Sequence, residues 1–156
     1  LYPDATVVFT MPNTDPEHQE IVEILELEVA KRNKWFLFAS LGSTKYLSLM
    51  THAAVVIGNS SSGLTEAPSV GTPTVNIGPR QGGRLAAKSV LSCGPHSSEI
   101  AETIKRALEY DFVQSIEGPA SPYGLPGAAE RIVRILESTP LASLGEKNYY
   151  DPPAEV

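Results

Sequence analysis

Val55-Val56-Ile57-Gly58-Asn59-Ser60-Ser61-Ser62-Gly63-Leu64-Thr65-Glu66 carries a β-branched run into three hydroxyls and a glycine, and closes on a carboxylate. β-Branched residues fit a pleated, buried surface, so the run reads as a strand. Gly58 and the small polar residues after it read as a tight turn, and Gly63 to Glu66 as the opening of a helix. Such a junction leaves backbone N–H groups without intrahelical partners and turns a positive helix end outward. It is a ready anion site.

Outward from this junction, strands and helices alternate. Toward the N-terminus, residues 6–10 form a β-rich run closed by Met11-Pro12-Asn13. Asp15-Pro16-Glu17 reads as a helix start with Asp15 as N-cap and Pro16 in the first position. Ile21, Ile24, Leu25 and Val29 then give one apolar face on a helix running to about Arg32. Residues 35–39 read as a strand apolar on both faces, as in a covered parallel sheet. A helix over 44–52 is expected to turn Tyr46, Leu47 and Met50 inward, and the strand of the opening stretch covers 54–57.

Toward the C-terminus, a helix is expected over 61–70, ended by Gly71, with Pro73 leading into a strand at 74–77. Gly78-Pro79-Arg80-Gln81-Gly82-Gly83-Arg84 is a glycine-rich basic loop, and residues 89–91 a short strand. Ser97 or Ser98 is expected to cap a helix bearing Ile100, Ile104 and Leu108. Residues 118–126 read as loop. A last helix from Gly127 carries Ala129, Ile132, Val133 and Leu136. Residues 1–139 thus make one domain, and 140–156 a tail with no period. Alternating elements with short connections predict an α/β fold: a Rossmann-like parallel sheet with helices on both faces. Ligands in such sheets sit beyond the carboxyl ends of the strands. Those ends are Met11-Pro12-Asn13, Ala39-Ser40, residues 58–62 and residues 77–84.

Bulk properties narrow the function. The 156 residues carry a net charge of −6, a poor match to nucleic acid, which needs a basic surface. No apolar run is long enough for a membrane span, and no basic leader precedes an apolar core. Cys93 is the single cysteine, so no internal disulfide forms and no cysteine metal cluster exists; this fits a reducing, cytoplasmic setting. Leu1 stands only a few residues before a strand, and the sequence reads as a segment of a longer protein.

Neither the G-x-G-x-x-G fingerprint nor a Walker lysine occurs, which argues against NAD and ATP chemistry. No G-x-S-x-G elbow surrounds the serines, which argues against a hydrolase triad. His18, His52 and His96 have no partner at metal-ligand spacing and read as surface or capping groups. Cys93 and Trp35 read as core.

What remains is an anion constellation. Ser60, Ser61 and Ser62 offer hydroxyls and N–H groups. Glu66, four residues after Ser62, shares a helix face with it, and a carboxylate there can accept both vicinal hydroxyls of a ribose. From Ala67 to Ser98 there is no acidic residue, yet Arg80, Arg84 and Lys88 are present, a local positive field suited to phosphates. Each feature also has a plainer reading. The serines can serve as an N-cap, Glu66 as a first-turn acid, Arg80 as half of a surface ion pair and Asn13 as a turn residue.

Glu66-Ala67 with Gly71-Thr72-Pro73 resembles the donor half of GT-B glycosyltransferases. Residues 12–15, 57–63 and 76–84, in this order, are similar to the hydrolysing UDP-N-acetylglucosamine 2-epimerases. The resemblance extends to about Ile135. It implies the C-terminal one of two Rossmann-like domains, with the active site in the cleft between them. The family reaction eliminates UDP and hydrates the resulting glucal, giving N-acetylmannosamine, with no metal or redox cofactor. Carried over, Ser60 and Ser61 would bind the UDP phosphates and Glu66 the ribose. Arg80 would stabilise the leaving diphosphate, Asn13 would line the nucleotide site, and Arg84 would add a phosphate contact. The base is UDP or GDP, since relatives use either. The family's acid–base carboxylates belong to the N-terminal domain, so no catalytic proton-transfer residue is expected here and the segment alone is expected to be inactive. The full-length protein is expected to be a homo-oligomer. The alternatives are a glycosyltransferase donor domain or a non-catalytic sugar-nucleotide-binding module.

Overall fold

The computed structural model describes residues 2–16, 18–116, 118–140 and 145. The chain divides into two compact units, Leu1–Tyr123 and Gly124–Val156.

The first unit holds five short strands. β1 (Val7–Thr10) pairs with β2 (Trp35–Phe38), Val7 opposite Trp35 and Thr10 opposite Phe38. β3 (Val56–Gly58), β4 (Thr74–Ile77) and β5 (Val90–Cys93) form a second sheet in the order β3-β4-β5. Every pairing is parallel and helices intervene, so the Rossmann-like α/β expectation holds. The ladder is divided, however: hydrogen bonds join two strands and three strands rather than five in one sheet.

The core lies around β4. Thr74, Val75 and Asn76 are all buried, and since successive side chains point to opposite faces, both faces of β4 are covered. α3 (Ser62–Thr65) packs against β3 and β4, and α4 (Ser97–Ala107) against β4 and β5. The approach of α3 is close. A methyl group on Gly63 would lie 2.9 Å from Thr74 Cγ2, so only glycine fits there. Met50, Leu64, Ala67 and Ala107 complete the buried apolar set.

Several elements differ from the sequence reading, each for a local reason. β2 is covered on one side only: Trp35 and Leu37 are half-buried, while Phe36 and Phe38 are exposed. Trp35 tilts against Phe9, with ring centroids 5.3 Å apart, and carries the Arg32 guanidinium 4.2 Å above its ring, so it is a half-covered edge residue rather than core. Cys93 is half-buried as well. α1 (His18–Ala30) turns His18, Val22, Leu25 and Val29 inward and leaves Ile21 and Ile24 exposed. α2 (Gly42–His52) starts two residues early; Met50 is buried and Tyr46 half-buried, but Leu47 is exposed.

The helix expected over 61–70 is broken. α3 is one turn, and Ala67–Val70 continue as a 3-10 turn. Pro68 has no N–H to return to Leu64, which ends the α-helical ladder. Gly71 closes the segment at φ 74°, in the left-handed region expected of a helix-ending glycine. α4 begins after His96, with no serine side-chain cap; the Glu99 carboxylate instead accepts the Gly94 N–H at 2.9 Å. A short α5 (Tyr110–Ser115) follows, which no apolar period announces.

In the second unit, α6 (Ala128–Ser138) follows Gly127, itself at φ 90°. Arg131 donates to the carbonyls of Pro126 and Leu125, fastening the turn before the helix. Of the apolar residues read on this helix, Ile132, Val133 and Leu136 are exposed, as is Ile135. The tail at 140–156 lies outside the described residues, apart from Pro140 and Gly145. Among the described residues, no helix is long and apolar enough to cross a membrane, and no group of three or more His, Cys, Asp or Glu could hold a metal ion.

Candidate functional site

The carboxyl ends of β1, β2, β3 and β4 open onto one cleft of about 810 Å³ within the first unit. The segment after β1 supplies Met11 to Asn13 and Asp15. The segment after β2 supplies Ser40 to Ser43, the serine turn after β3 supplies Asn59 to Ser62, and the segment after β4 supplies Arg80, Gln81 and Arg84. Of the six residues singled out from sequence, five line this cleft: Asn13, Ser60, Ser61, Arg80 and Arg84. Glu66 is exposed and lies outside the lining.

The serine turn is organised from within. Ser60 Oγ accepts from the Ser62 N–H at 3.4 Å and from the Ser62 hydroxyl at 3.2 Å. Ser62 Oγ lies 2.7 Å from the Tyr46 hydroxyl on α2. The Gly63 and Leu64 N–H groups close on the Ser60 and Ser61 carbonyls. Ser61 makes no side-chain cap, so the plain capping reading is not realised at that residue. Among the described residues, the N–H groups of Asn59, Ser60 and Ser61 and the Ser61 hydroxyl have no protein partner. They are available to an acceptor-rich ligand. A one-turn helix carries only a fraction of a macrodipole, so these N–H groups and the arginines, more than the helix end, are the donors an anion could use here.

Gln81 ties this turn to the next strand end. It is only 6% exposed, and its Nε2 donates to the Asn59 carbonyl at 2.8 Å. Its own carbonyl accepts the Arg84 N–H at 3.2 Å, so one residue braces the serine turn and the arginine loop together. Tyr123 adds a second fastening, donating to the Leu85 carbonyl at 2.9 Å. Neither the Gln81 brace nor the Tyr46–Ser62 contact is legible in sequence. Gln81 stands among polar loop residues that look exposed, and Tyr46 reads simply as an inward ring of a helix.

Arg80 Nη1 donates to Asp15 Oδ2 at 2.7 Å. The pair joins loops 65 residues apart in sequence, and both side chains are about half exposed. Asp15 was expected as the N-cap of α1. Its carbonyl does accept the His18 N–H at 3.2 Å, but its carboxylate goes to Arg80. The Arg84 guanidinium is exposed and has no partner among the described residues. The cleft thus combines free N–H groups, hydroxyls and two guanidinium groups, a donor set matched to phosphate oxygens.

Comparison with known proteins identifies the family. The family model described as UDP-N-acetylglucosamine 2-epimerase matches residues 1–137. The chain is 35% identical over 150 residues to the GDP/UDP-N,N'-diacetylbacillosamine 2-epimerase (hydrolyzing) of Campylobacter jejuni, covering 95% of this chain and 38% of that protein. It is 32% identical over 124 residues to the polysialic acid biosynthesis protein P7 of Escherichia coli, covering 79% of this chain and 32% of that protein. The crystal structure of the UDP-GlcNAc 2-epimerase of Neisseria meningitidis bound to UDP-GlcNAc superposes with a TM-score of 0.62 at 17% identity, over 85% of this chain and 44% of that one. That likeness concerns the fold. The chain spans about a third to two-fifths of the length of these two curated relatives. It belongs to the UDP-N-acetylglucosamine 2-epimerase family.

Proposed function

We propose that this chain is the nucleotide-holding, C-terminal Rossmann-like domain, with 1–139 as its extent, of a hydrolysing sugar-nucleotide 2-epimerase, and that its cleft holds the diphosphate of a UDP- or GDP-sugar. The observation that carries the reading is the meeting of free serine-turn N–H groups with Arg80 and Arg84 at one set of strand ends. The family membership favours it over a glycosyltransferase donor domain.

In this reading Ser60 and Ser61 bind phosphate oxygens and Asn13 lines the nucleotide site, while Glu66, which stands outside the cleft lining, holds a ribose that extends beyond it. The C2 proton passes to a base. The C1–O bond breaks, and its electron pair goes to the diphosphate oxygen of the departing nucleotide. Arg80 and Arg84 meet that developing charge; removing one such preorganised donor costs on the order of 10²–10³ in rate. Water then supplies a hydroxyl to C1 and a proton returns to C2 on the opposite face, giving the free 2-epimer. The chemistry calls for no metal or redox cofactor. The base belongs to the N-terminal domain of the same protein, which works in the cytoplasm as a homo-oligomer.

Calorimetric titration of the 156-residue chain with UDP and with GDP tests the binding role. One-to-one binding of at least one of them is expected, with no release of N-acetylmannosamine from UDP-N-acetylglucosamine. No heat at millimolar nucleotide, or measurable turnover by this chain alone, contradicts the reading.

A further inference from the structure

Phosphate binding alone does not account for the Asp15–Arg80 pair in the cleft. Among the described residues, four ion pairs occur. Two lie within α1 and its exit, where Glu28 meets Lys31 and Arg32, and a third joins Lys34 to Asp4. Arg80–Asp15 is the only one of these four with both partners on the cleft lining. A carboxylate and a phosphate seek the same guanidinium N–H groups. A carboxylate beside a bound diphosphate is also repelled by it.

We propose that Asp15 is an internal competitor for the diphosphate site, which occupies Arg80 when the nucleotide is absent and is displaced by it. The inference rests on the nucleotide-binding reading of the cleft. Asp15 then sets specificity by charge. A diphosphate, with more negative charge to offer Arg80, displaces the carboxylate more readily than a ligand with little or no charge. The same competition returns Arg80 to Asp15 as the product leaves, which favours release of the nucleotide. The pair suits this role because it is half exposed. Exposed pairs are weak enough to exchange, and the competition they impose corresponds to about a two- to fivefold effect on affinity.

The test is calorimetric titration of the 156-residue chain at low ionic strength, where exposed charges are least screened. Wild type, Asp15→Asn, Asp15→Glu and the double variant Asp15→Asn/Arg80→Gln are each titrated with UDP, inorganic pyrophosphate and uridine. Asp15→Asn is expected to tighten UDP and pyrophosphate by about two- to fivefold and to leave uridine unchanged. Asp15→Glu keeps the charge and stays at wild-type affinity. The gain disappears in the Arg80→Gln background. A merely structural role for Asp15 predicts the opposite sign, weaker binding. Wild-type binding of UDP with equal or weaker binding by Asp15→Asn overturns the competitor role while leaving the nucleotide site standing, as does an equal gain with uridine or with Asp15→Glu. No UDP binding by wild type overturns the nucleotide site and the competitor role together.

Discussion

Gln81 donates its side-chain N–H to the carbonyl of Asn59 at 2.8 Å, so the loop that carries the arginines holds the serine turn by a buried strut. Asn59 is exposed, so water can take the place of the lost donor when the Gln81 amide is removed, and the buried, unpartnered Gln81 Oε1 goes with it; the cost is that of one net hydrogen bond, about 0.5–1.5 kcal/mol. Gln81→Met, which keeps the length and loses the hydrogen bond, is expected to lower stability by that amount in urea unfolding. UDP affinity is expected to fall with it, since the serine turn and the arginine loop lose a common brace. Unchanged stability and affinity would remove Gln81 from the site.

The Tyr46 hydroxyl meets Ser62 Oγ at 2.7 Å, and Ser62 passes the chain of bonds to Ser60. Tyr46→Phe keeps the ring and deletes one neutral hydrogen bond. A loss of about 0.5–1.5 kcal/mol in unfolding free energy is expected. Weaker UDP binding should accompany it, because Ser60 loses its indirect support. Hydrogen exchange at Ser60 to Ser62 should accelerate in the variant.

Gly63 is required by packing rather than by conformation. Gly63→Ala puts a methyl group 2.9 Å from Thr74 Cγ2 on a fully covered strand. The overpacking is expected to destabilise by about 1–3 kcal/mol, read as a lower urea midpoint with an unchanged slope. In the background Thr74→Ser, which removes the opposing methyl group, part of the loss should return.

Acid stability near the exit of α1 depends on Glu28. Its carboxyl is lowered from 4.5 to about 2, chiefly by hydrogen bonds from Lys31 and then Arg32. A depressed folded-state pKa contributes stability above the unfolded value, and that contribution is lost as pH falls from about 4.5 to about 2. Glu28→Gln should therefore flatten the pH dependence of unfolding in this window. The group is exposed, so the effect should shrink with added salt.

The sequence carried the order of elements because the strand runs at 6–10 and 74–77 and the glycine at 71 are local signals. It carried most of the cleft for a related reason: in a parallel α/β fold, strand ends define the ligand face, and five of the six chosen residues stand there. What it missed depends on contacts between distant loops. Nothing near Gln81 reveals burial, and nothing near Asp15 reveals an arginine 65 residues away. The apolar spacing over 61–70 suits an unbroken helix, but Pro68 lacks the N–H to continue it, so the helix dipole at the serines bears less weight. On α1, spacing alone admitted two neighbouring stripes, and tertiary contact chose His18, Val22, Leu25 and Val29 over Ile21 and Ile24.

The central claim is that the strand-end cleft holds a nucleoside diphosphate on the serine turn and the arginine loop. Backbone amide shifts of the 156-residue chain, followed during titration with UDP, test it most directly. The account predicts the largest saturable changes at Asn59, Ser60, Ser61, Arg80 and Arg84, with little change along α4. Saturable changes centred elsewhere, or none at these five amides at millimolar UDP, would contradict it.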